Sequence, residues 1–489
     1  MLSQKRSKTL SELFNGLSVP LPKKLAGLEL TGLQYDSRKV GPGNLFVAIK
    51  GFKTDGHKFL NMAVEKGAVC AVVEQENPEL RIPQIKVANS RTVLPVLAAN
   101  FYRPEIDALT LVGITGTNGK TTTSYLIQSI LNQSGKPAGV IGTIQYIVGQ
   151  DKIDAWNTTP ESVDVCRMLY EMYRQKFKAA VLEVSSHALA LNRVDGLRFK
   201  VGLFTNLSRD HLDFHKTMES YFETKMKLFS LLQPEGAAVI NVDDTWVKKA
   251  VDRIEQPVIT FSQNESADVR VVRQKLDING IDLELQTPFG PLQIQSPLRG
   301  QFNVQNILAA VGAGLALGIK LEVIKKGIEA LQRVPGRMEA YEVKPDVQAF
   351  IDYAHTPDSL DKALRSLRPL TRGRLIVVFG AGGDRDRGKR PIMGRVAEAQ
   401  ADVVIVTSDN PRSEDPQKII DDILEGIEHP QQCQVIVDRR KAIEQAVKQA
   451  QPGDVILVAG KGHEMYQIVD GVKQPFDEVA ILKEAALRE

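Results

Sequence analysis

Between Gly116 and Thr122 the chain reads Gly-Thr-Asn-Gly-Lys-Thr-Thr, preceded by the apolar, β-branched "LTLVGIT" and followed by the helical-looking "TSYLIQSIL". A strand, a Gly-rich turn and a helix N-terminus in this order form an anion site. Bare backbone N–H groups and the positive end of the helix dipole point at whatever sits there. Lys120 adds a mobile positive charge and Thr121 a hydroxyl suited to Mg²⁺. A strict phosphate loop has Gly five positions before the Gly-Lys pair, where this chain has Ile114, so the loop is a variant. Phosphate is the expected ligand, and phosphate alone does not name a reaction.

Two later strand ends carry the polar groups that a Mg²⁺-nucleotide site needs. In "VLEVSSHALALNRV", Glu183 falls near the end of a strand, where burying a carboxylate is costly and metal binding offsets that cost. In "LFTNLSRDHLDFH", Asp210, His211, Asp213 and His215 crowd the next strand's exit, and His supplies a ligand or an acid/base. Taken singly, each is also explained as a cap or a loop hydrogen bond. Thr121, Glu183 and His211 make the stronger case jointly, because all three leave C-terminal strand edges next to the loop. In "ESYFETKMKLF", Tyr221, Lys225 and Phe229 recur at i, i+4 and i+8, placing a lysine in an aromatic helix stripe. From spacing alone the default is snorkelling. A desolvated lysine has a lowered pKa, is nucleophilic when neutral, and could take up CO₂ as a metal-binding carbamate.

The elements that must position these groups read as a multidomain α/β protein. At 489 residues the chain exceeds one ordinary core, and a prior of about 150 residues per domain suggests three. Short strands and helices run to about residue 104, where "AANFYRPE" marks a linker. From Ala108 strand and helix alternate through "KAAVLEVSS", "VGLFTNLS" and "GAAVINVDD", apolar runs suited to a parallel sheet buried on both faces. "RVPGRMEAY" interrupts the pattern at Pro335 and Gly336. Beyond it come "VQAFIDYA", "GRLIVVFGAGG", "ADVVIVTSDN" and "GDVILVAGKG", each a strand ending in a loop of small or polar residues expected to face one site. With 62 basic and 59 acidic residues, net +3, nothing signals nucleic acid or a membrane surface, so an anionic ligand must be held locally. Cys70, Cys166 and Cys433 form no CxxC pair, and no segment approaches a membrane span, which fits a soluble cytoplasmic protein.

In chain order, "YDSRKVGPGNLFVAIKGFKTDGHKF", "GITGTNGKTTT", "EVSSHAL", "TNLSRDHLDFH", "YFETKMKLF", "GQFNVQN", "VPGRME", "DYAHTPDSL", "GGDRDRGKR" and "SDNPRSEDP" resemble the Mur ligases. The likeness covers nearly the whole chain and is greatest to the UDP-N-acetylmuramoyl-tripeptide synthetases of peptidoglycan assembly. It implies a smaller N-terminal α/β domain holding the UDP-sugar (1–104) and a central P-loop ATPase with a mainly parallel sheet (105–334). A C-terminal Rossmann-like domain (335–489) would close over the nucleotide and bind the amino acid. By the same resemblance, Tyr35, Ser37, Phe52, Lys53 and Thr54 line the uridine diphosphate pocket, and Asn157, Thr158, Thr159, Ser185 and Arg193 hold the muramoyl-peptide. Leu191 stands where related sequences often carry Gln. Gly116, Thr117, Asn118, Gly119, Lys120, Thr121 and Thr122 would cradle the ATP phosphates, and Asn303, Arg337, Asp352 and His355 the rest of the nucleotide. Lys225 aligns with the family's carbamylated lysine, which replaces the snorkelling reading. Its CO₂-derived carbamate would hold Mg²⁺ with Thr121, Glu183 and His211, and Lys120, Lys225, His211 and Glu183 form the implied catalytic set.

The implied reaction is ATP-driven amide formation. The D-glutamate carboxylate of UDP-MurNAc-L-Ala-D-Glu takes the γ-phosphoryl group, and an amine then displaces phosphate from the acyl phosphate. Meso-diaminopimelate differs from L-lysine by a far-end carboxylate, and Arg412 of "SDNPRSEDP" offers a bidentate partner for it. Arg385, Asp409, Asn410, Pro411, Gly460 and Glu464 complete that implied pocket, with Arg385 for the other carboxylate and Glu464 for an ammonium. The partners are thus small molecules, with no nucleic acid, no membrane and a monomer expected. Two alternatives are a folylpolyglutamate-synthetase-like ligase, disfavoured by "YDSR" with "GFKTDG" and by "SDNPRSEDP", and a nucleotide-dependent switch without ligation. A metal- or NAD-binding module at Gly380–Asp386 is disfavoured because no apolar helical pattern follows those glycines.

Overall fold

A computed structural model describes residues 6–51 and 54–488; the described residues fall into two compact units, one within Met1–Arg270 and Leu308–Gly327 and one within Val271–Ile307 and Ile328–Glu489. Phe52 and Lys53 lie outside the described residues.

In the first unit a small parallel sheet is built from β1 (Gly32–Gln34), β2 (Asn44–Val47), β3 (Ala68–Val73) and β4 (Gln84–Lys86), followed by helix α1 (Ser90–Tyr102). The larger sheet includes β5 (Thr110–Thr115), β6 (Ala138–Ile141), β7 (Gln145–Val148), β8 (Asp151–Asp154), β9 (Ala179–Glu183), β10 (Phe199–Phe204), β11 (Leu232–Asn241) and β12 (Val258–Ser262). Their order is β8-β7-β6-β9-β5-β10-β11-β12. In that order all neighbours from β6 to β12 run parallel, whereas the β6–β7 and β7–β8 pairs are antiparallel. The apolar runs read from the sequence as doubly buried strands are these: Val112, Ile114, Val181, Leu182, Leu203 and Phe204 are all fully buried. Helices α2 (Lys120–Gln133), α3 (Ser162–Arg174), α4 (Ser186–Ala190) and α5 (Met218–Met226) connect the strands. One continuous core includes Leu97 and Phe101 of α1 together with Cys166 and Leu169 of α3, so the small sheet and the large one share apolar packing across the expected linker at residue 104.

The second unit has a hairpin of β13 (Gly280–Thr287) and β14 (Gly290–Ser296). Its main sheet comprises β15 (Glu339–Lys344), β16 (Val347–Asp352), β17 (Leu375–Phe379), β18 (Val403–Val406), β19 (Gln434–Val435) and β20 (Val455–Ala459) in the order β15-β16-β20-β17-β18-β19. Only the β15–β16 pair is antiparallel. Alternate residues of one strand enter opposite cores. Val377 and Phe379 face helices α6 (Pro357–Leu367) and α7 (Lys389–Gln400), whereas Ile376 and Val378 face α8 (Arg439–Gln449) and α9 (Glu478–Leu487).

The charged pair Arg439–Glu478 is sealed into this helix–sheet interface, with side-chain exposures of 0% and 2% and a contact of 2.6 Å. Arg439 also donates to the carbonyls of Ser408 and Ala459, at the exits of β18 and β20. Removing one partner leaves a buried charge uncompensated. Glu478→Ala is therefore expected to weaken unfolding stability by about 3–5 kcal/mol in urea titration. An Arg439→Met, Glu478→Leu pair should recover most of that loss, because replacing both charges with apolar groups leaves nothing unpaired.

Candidate active site

The loop after β5 is shaped by close approach. A Cβ on Gly116 would lie 1.9 Å from Thr205 Oγ1, and Gly116 sits at φ +141°. Gly119, at φ +85°, is the N-cap of α2. The loop is clamped onto the exit of β10: Thr117 N–H donates to the Asn206 carbonyl (2.9 Å) and Asn118 N–H to Asn206 Oδ1 (2.9 Å). Thr205 Oγ1 donates to the Asn118 carbonyl (2.6 Å). This corrects one sequence expectation. The Thr117 and Asn118 amides are not bare but bound to Asn206, so anion attraction falls to the first turn of α2 with its dipole and to Lys120. Lys120 curls over its own loop, donating to the carbonyls of Gly116 and Thr117 at 2.8 Å each.

Glu183, the last residue of β9, is fully buried. Its carboxylate accepts from Thr121 Oγ1 (3.0 Å), Thr143 Oγ1 (2.9 Å) and Thr143 N–H (3.0 Å). Those donors are what make a desolvated carboxylate tolerable at a strand end. A Cβ at Gly142 would fall 2.2 Å from Glu183 Oε1, so this glycine leaves room for the carboxylate. The structure thus joins Thr121 to Glu183 as expected and adds Thr143, which lies on a loop without a motif.

Lys225 does not snorkel. It is 1% exposed, and its Nζ donates to the Gly116 carbonyl at 2.8 Å, 4.6 Å from the Tyr221 ring centre. Burial first, and then the Lys120 charge, push its pKa well below the ordinary lysine value. Helix α5 ends at Met226, so Phe229 belongs to the following short 3₁₀ turn and not to the same helical stripe. His211 adopts φ +53° and packs its ring 4.8 Å from His187, with Asp210 3.5 Å away. His215 is buried against Ser186 Oγ (2.9 Å) and is pushed down to about 4 by burial and then by His187, so it is neutral near pH 7. Among the described residues no three His, Cys, Asp or Glu side chains close around one point.

The expected sugar-peptide residues meet on the loops around β9. Thr159 Oγ1 donates to the Glu183 carbonyl (2.7 Å) and lies 3.3 Å from Ser185 Oγ; Arg193 Nη1 donates to the Thr159 carbonyl (2.9 Å). Thr158 Oγ1 is 3.1 Å from Thr143 Oγ1, and the Asn157 carbonyl accepts from Tyr146 Oη at 2.5 Å. Glu161 lies between Arg91 (3.3 Å) and Arg193 (3.6 Å). Tyr35 Oη donates to Asp164 Oδ2 on α3 (2.6 Å), and Ser37 Oγ rests on Met62 Sδ (3.3 Å). Thr54 is exposed and its carbonyl accepts from Gly51 N–H. Tyr146, Arg91, Glu161 and Asp164 contact these expected residues or their neighbours, and the sequence reading did not single them out because the contacts join separate segments. Leu191 is the C-cap of α4.

In the second unit the loops after β17, β18 and β20 converge. Asn410 Nδ2 donates to Glu464 Oε2 (2.7 Å), while Asn410 Oδ1 accepts from Lys461 Nζ (3.0 Å) and Ile468 N–H (2.9 Å). Lys461, fully buried, is the group that sequence reasoning missed, although it stands inside "AGKGHE". A Cβ on Gly460, at φ +119°, would lie 2.3 Å from Asp409 Oδ2. Arg412, at φ +56°, donates through Nη1 to the Gly383 carbonyl (2.7 Å), and the Asn410 carbonyl before Pro411 accepts from Gly383 N–H. Arg385 donates to the neighbouring Asp384 carbonyl (3.3 Å) and is exposed. Arg390 bridges Glu414 and Asp422, tying the first two loops together. Elsewhere in this unit Asp352 accepts from Met338 and Ala354 N–H, Arg337 lies 4.9 Å over the Tyr353 ring, and His355 Nδ1 lies 2.8 Å from the Tyr353 carbonyl. Asn303 Nδ2 donates to the Arg299 carbonyl (2.6 Å).

A variant phosphate loop on a parallel sheet, with a buried carboxylate at the next strand end and a separate Rossmann-like unit, defines a nucleotide-dependent ligase architecture. Family models match throughout: a Mur ligase family catalytic domain at residues 29–102, a Mur ligase middle domain at 114–314 and a Mur ligase glutamate ligase domain at 336–462. A Geobacter metallireducens UDP-N-acetylmuramoyl-L-alanyl-D-glutamate–2,6-diaminopimelate ligase is 45% identical over 477 residues, covering 92% of this chain and 93% of that one. One from Gloeobacter violaceus is 46% identical over 466 residues, 95% of each. A solved structure of a ligase with that same name aligns with a TM-score of 0.73 at 32% identity over 99% of both chains. A Mycobacterium tuberculosis folylpolyglutamate synthase shares the fold, with a TM-score of 0.61 at 18% identity over 80% of this chain and 93% of that one. The chain belongs to the Mur ligase family, the ATP-dependent, ADP-forming amide ligases. No helix among the described residues is long and apolar enough to cross a membrane.

Gly116 offers a direct test of the loop. Gly116→Ala places a methyl against Thr205 and adds strain at a positive φ, so nucleotide affinity by calorimetry is expected to fall at least about tenfold. Unchanged affinity would show that the loop has room this geometry denies.

Proposed function

We propose that this ligase adds meso-diaminopimelate to UDP-N-acetylmuramoyl-L-alanyl-D-glutamate, with ATP as co-substrate, in peptidoglycan assembly. The observation that carries the reading is the Asp409-Asn410-Pro411-Arg412 loop, locked by Lys461, Glu464 and Gly383 within a chain 45% identical to a diaminopimelate ligase. The domain division 1–104, 105–334 and 335–489 belongs to the same proposal. The first part would hold the uridine diphosphate through Tyr35, Ser37 and the 52–54 loop, and Asn157, Thr158, Thr159, Ser185 and Arg193 would hold the muramoyl-peptide. Asn303, Arg337, Asp352 and His355 would serve the nucleotide. Action in the cytoplasm as a monomer completes the reading.

Chemically, the α2 N-terminus and Lys120 neutralise the phosphoryl group while the D-glutamate carboxylate attacks it, and the incoming amine then expels phosphate. Thr121, Thr143 and Glu183 are hard oxygen donors that fit Mg²⁺, and His211 is proposed to join them. When bound, that ion would supply charge neutralisation on phosphate oxygens. Lys225 is proposed to carry a carbamate. Lys120 and Lys225 both donate to the Gly116 carbonyl, an unfavourable pairing of two ammonium groups that a neutral or anionic Lys225 relieves. The neutral amine adds to CO₂, forming the N–C bond and releasing one proton, and the product is an anion where a cation stood. Arg412 and Arg385 would receive the two carboxylates of the amino acid, and Glu464 an ammonium.

Two outcomes follow from this reading. In a phosphate-release assay with the UDP-dipeptide, diaminopimelate is expected to be turned over and L-lysine hardly at all, with Arg412→Ala reducing that preference by roughly 30- to 1000-fold. Equal use of lysine, or an Arg412→Ala variant that keeps its preference, would remove this loop from selection. Native mass measurement of the active protein should find one CO₂ adduct on Lys225. Lys225→Ala should be inactive and partly restored by short carboxylic acids, and a wild-type enzyme active without the adduct would end the carbamate proposal.

A further inference from the structure

Trp156 begins the Trp156–Thr159 loop between β8 and α3 and is half exposed (50%). The loop beneath it is not loose. Tyr146, fully buried, accepts from the backbone N–H groups of Trp156 (3.2 Å) and Asn157 (3.0 Å) and donates to the Asn157 carbonyl. The indole meets the Tyr146 ring edge-on, 4.7 Å between centres at 87°. The tyrosine therefore holds one side of the indole and sets its orientation, leaving about half of the side chain open to solvent. A rigid aromatic face of this kind offers large contact area with little rotamer entropy to lose.

The contacts of this loop group that face with the residues proposed for one portion of the substrate. Two residues on, Thr158 reaches Thr143 (3.1 Å), which reaches Glu183 (2.9 Å) at the phosphate loop. Tyr35 and Ser37, by contrast, contact Asp164 and Met62. Trp156 thus belongs with the muramoyl-peptide residues rather than with the uridine ones. A pyranose has one face of C–H groups polarised by the ring oxygens, and the negative face of an indole is complementary to it. We propose that Trp156 is a stacking platform for the apolar face of the N-acetylmuramoyl ring, a specificity contact that rests on the substrate reading given above.

The chain has two tryptophans, so Trp246→Phe leaves Trp156 as the sole indole reporter. In that variant, without ATP, UDP-MurNAc and UDP-MurNAc-L-Ala-D-Glu are expected to shift Trp156 emission to shorter wavelength, and UDP alone to leave it unchanged. In the otherwise native chain, Trp156→Ala should raise KM for UDP-MurNAc-L-Ala-D-Glu about tenfold with kcat within about twofold and KM for ATP unchanged, and Trp156→Phe should recover most of the loss. A full emission shift with UDP alone would put the uracil on the ring and overturn the proposal. So would wild-type KM in Trp156→Ala while the wild-type enzyme turns over the dipeptide, an outcome that leaves the substrate reading standing. A wild-type enzyme that fails to use the UDP-dipeptide at all would remove that reading and this one together.

Discussion

A fully buried carboxylate at the end of a parallel strand is the constraint on which the first unit is organised. Glu183 cannot be left in apolar surroundings without donors, and it recruits them from two directions: Thr121 at the start of α2 and Thr143 on the loop after β6. These contacts fix the first turn of the phosphate-loop helix against β9 and leave Gly142 no room for a side chain. Thr143 in turn touches Thr158, so the same carboxylate sets where the neighbouring polar loop begins. An arrangement that satisfies one desolvated charge thereby ties two polar loops to a single strand end.

The second unit solves a related problem with cations. Lys461 and Arg439 are fully buried, and each is paired by acceptors from strand-exit loops: Asn410 and Glu464 for the lysine, Glu478 and the Ser408 and Ala459 carbonyls for the arginine. The loops after β18 and β20 are consequently stapled from below, while Arg412 staples the loop after β17 from the side. Positive φ at Arg412 is tolerated because these bonds over-determine the backbone there, and at Gly460 because glycine has no Cβ. Loops held this firmly can discriminate ligands that differ by one charged group, since a mismatched ligand leaves a buried group unpaired.

Fold likeness alone does not select the chemistry here. The folylpolyglutamate synthase fold superposes on 80% of this chain at 18% identity. What separates relatives is the set of side chains grafted onto strand exits. The ligases from Geobacter metallireducens and Gloeobacter violaceus align with 92–95% of this chain at 45–46% identity.

Much of this was legible in the linear sequence because the signals are local. Doubly buried strands read as continuous apolar runs, so β5, β9, β10, β17, β18 and β20 stand where "LTLVGIT", "KAAVLEVSS", "VGLFTNLS", "GRLIVVF", "ADVVIVT" and "GDVILVA" placed them. The phosphate loop and the Asp-Asn-Pro-Arg turn are set by neighbouring residue types. Other features depended on distance in space. Whether Lys225 reaches water or the Gly116 carbonyl, 109 residues away in sequence, is decided by how α5 packs against β5, and spacing favoured the wrong answer. Asn206 capturing the phosphate-loop amides, Thr143 bonding Glu183, and the core that runs from α1 into α3 are likewise products of tertiary packing. Periodicity reports which face of an element is apolar. It carries no information on which polar atom a buried donor meets, because that partner is chosen by the three-dimensional approach of segments that share no local signal.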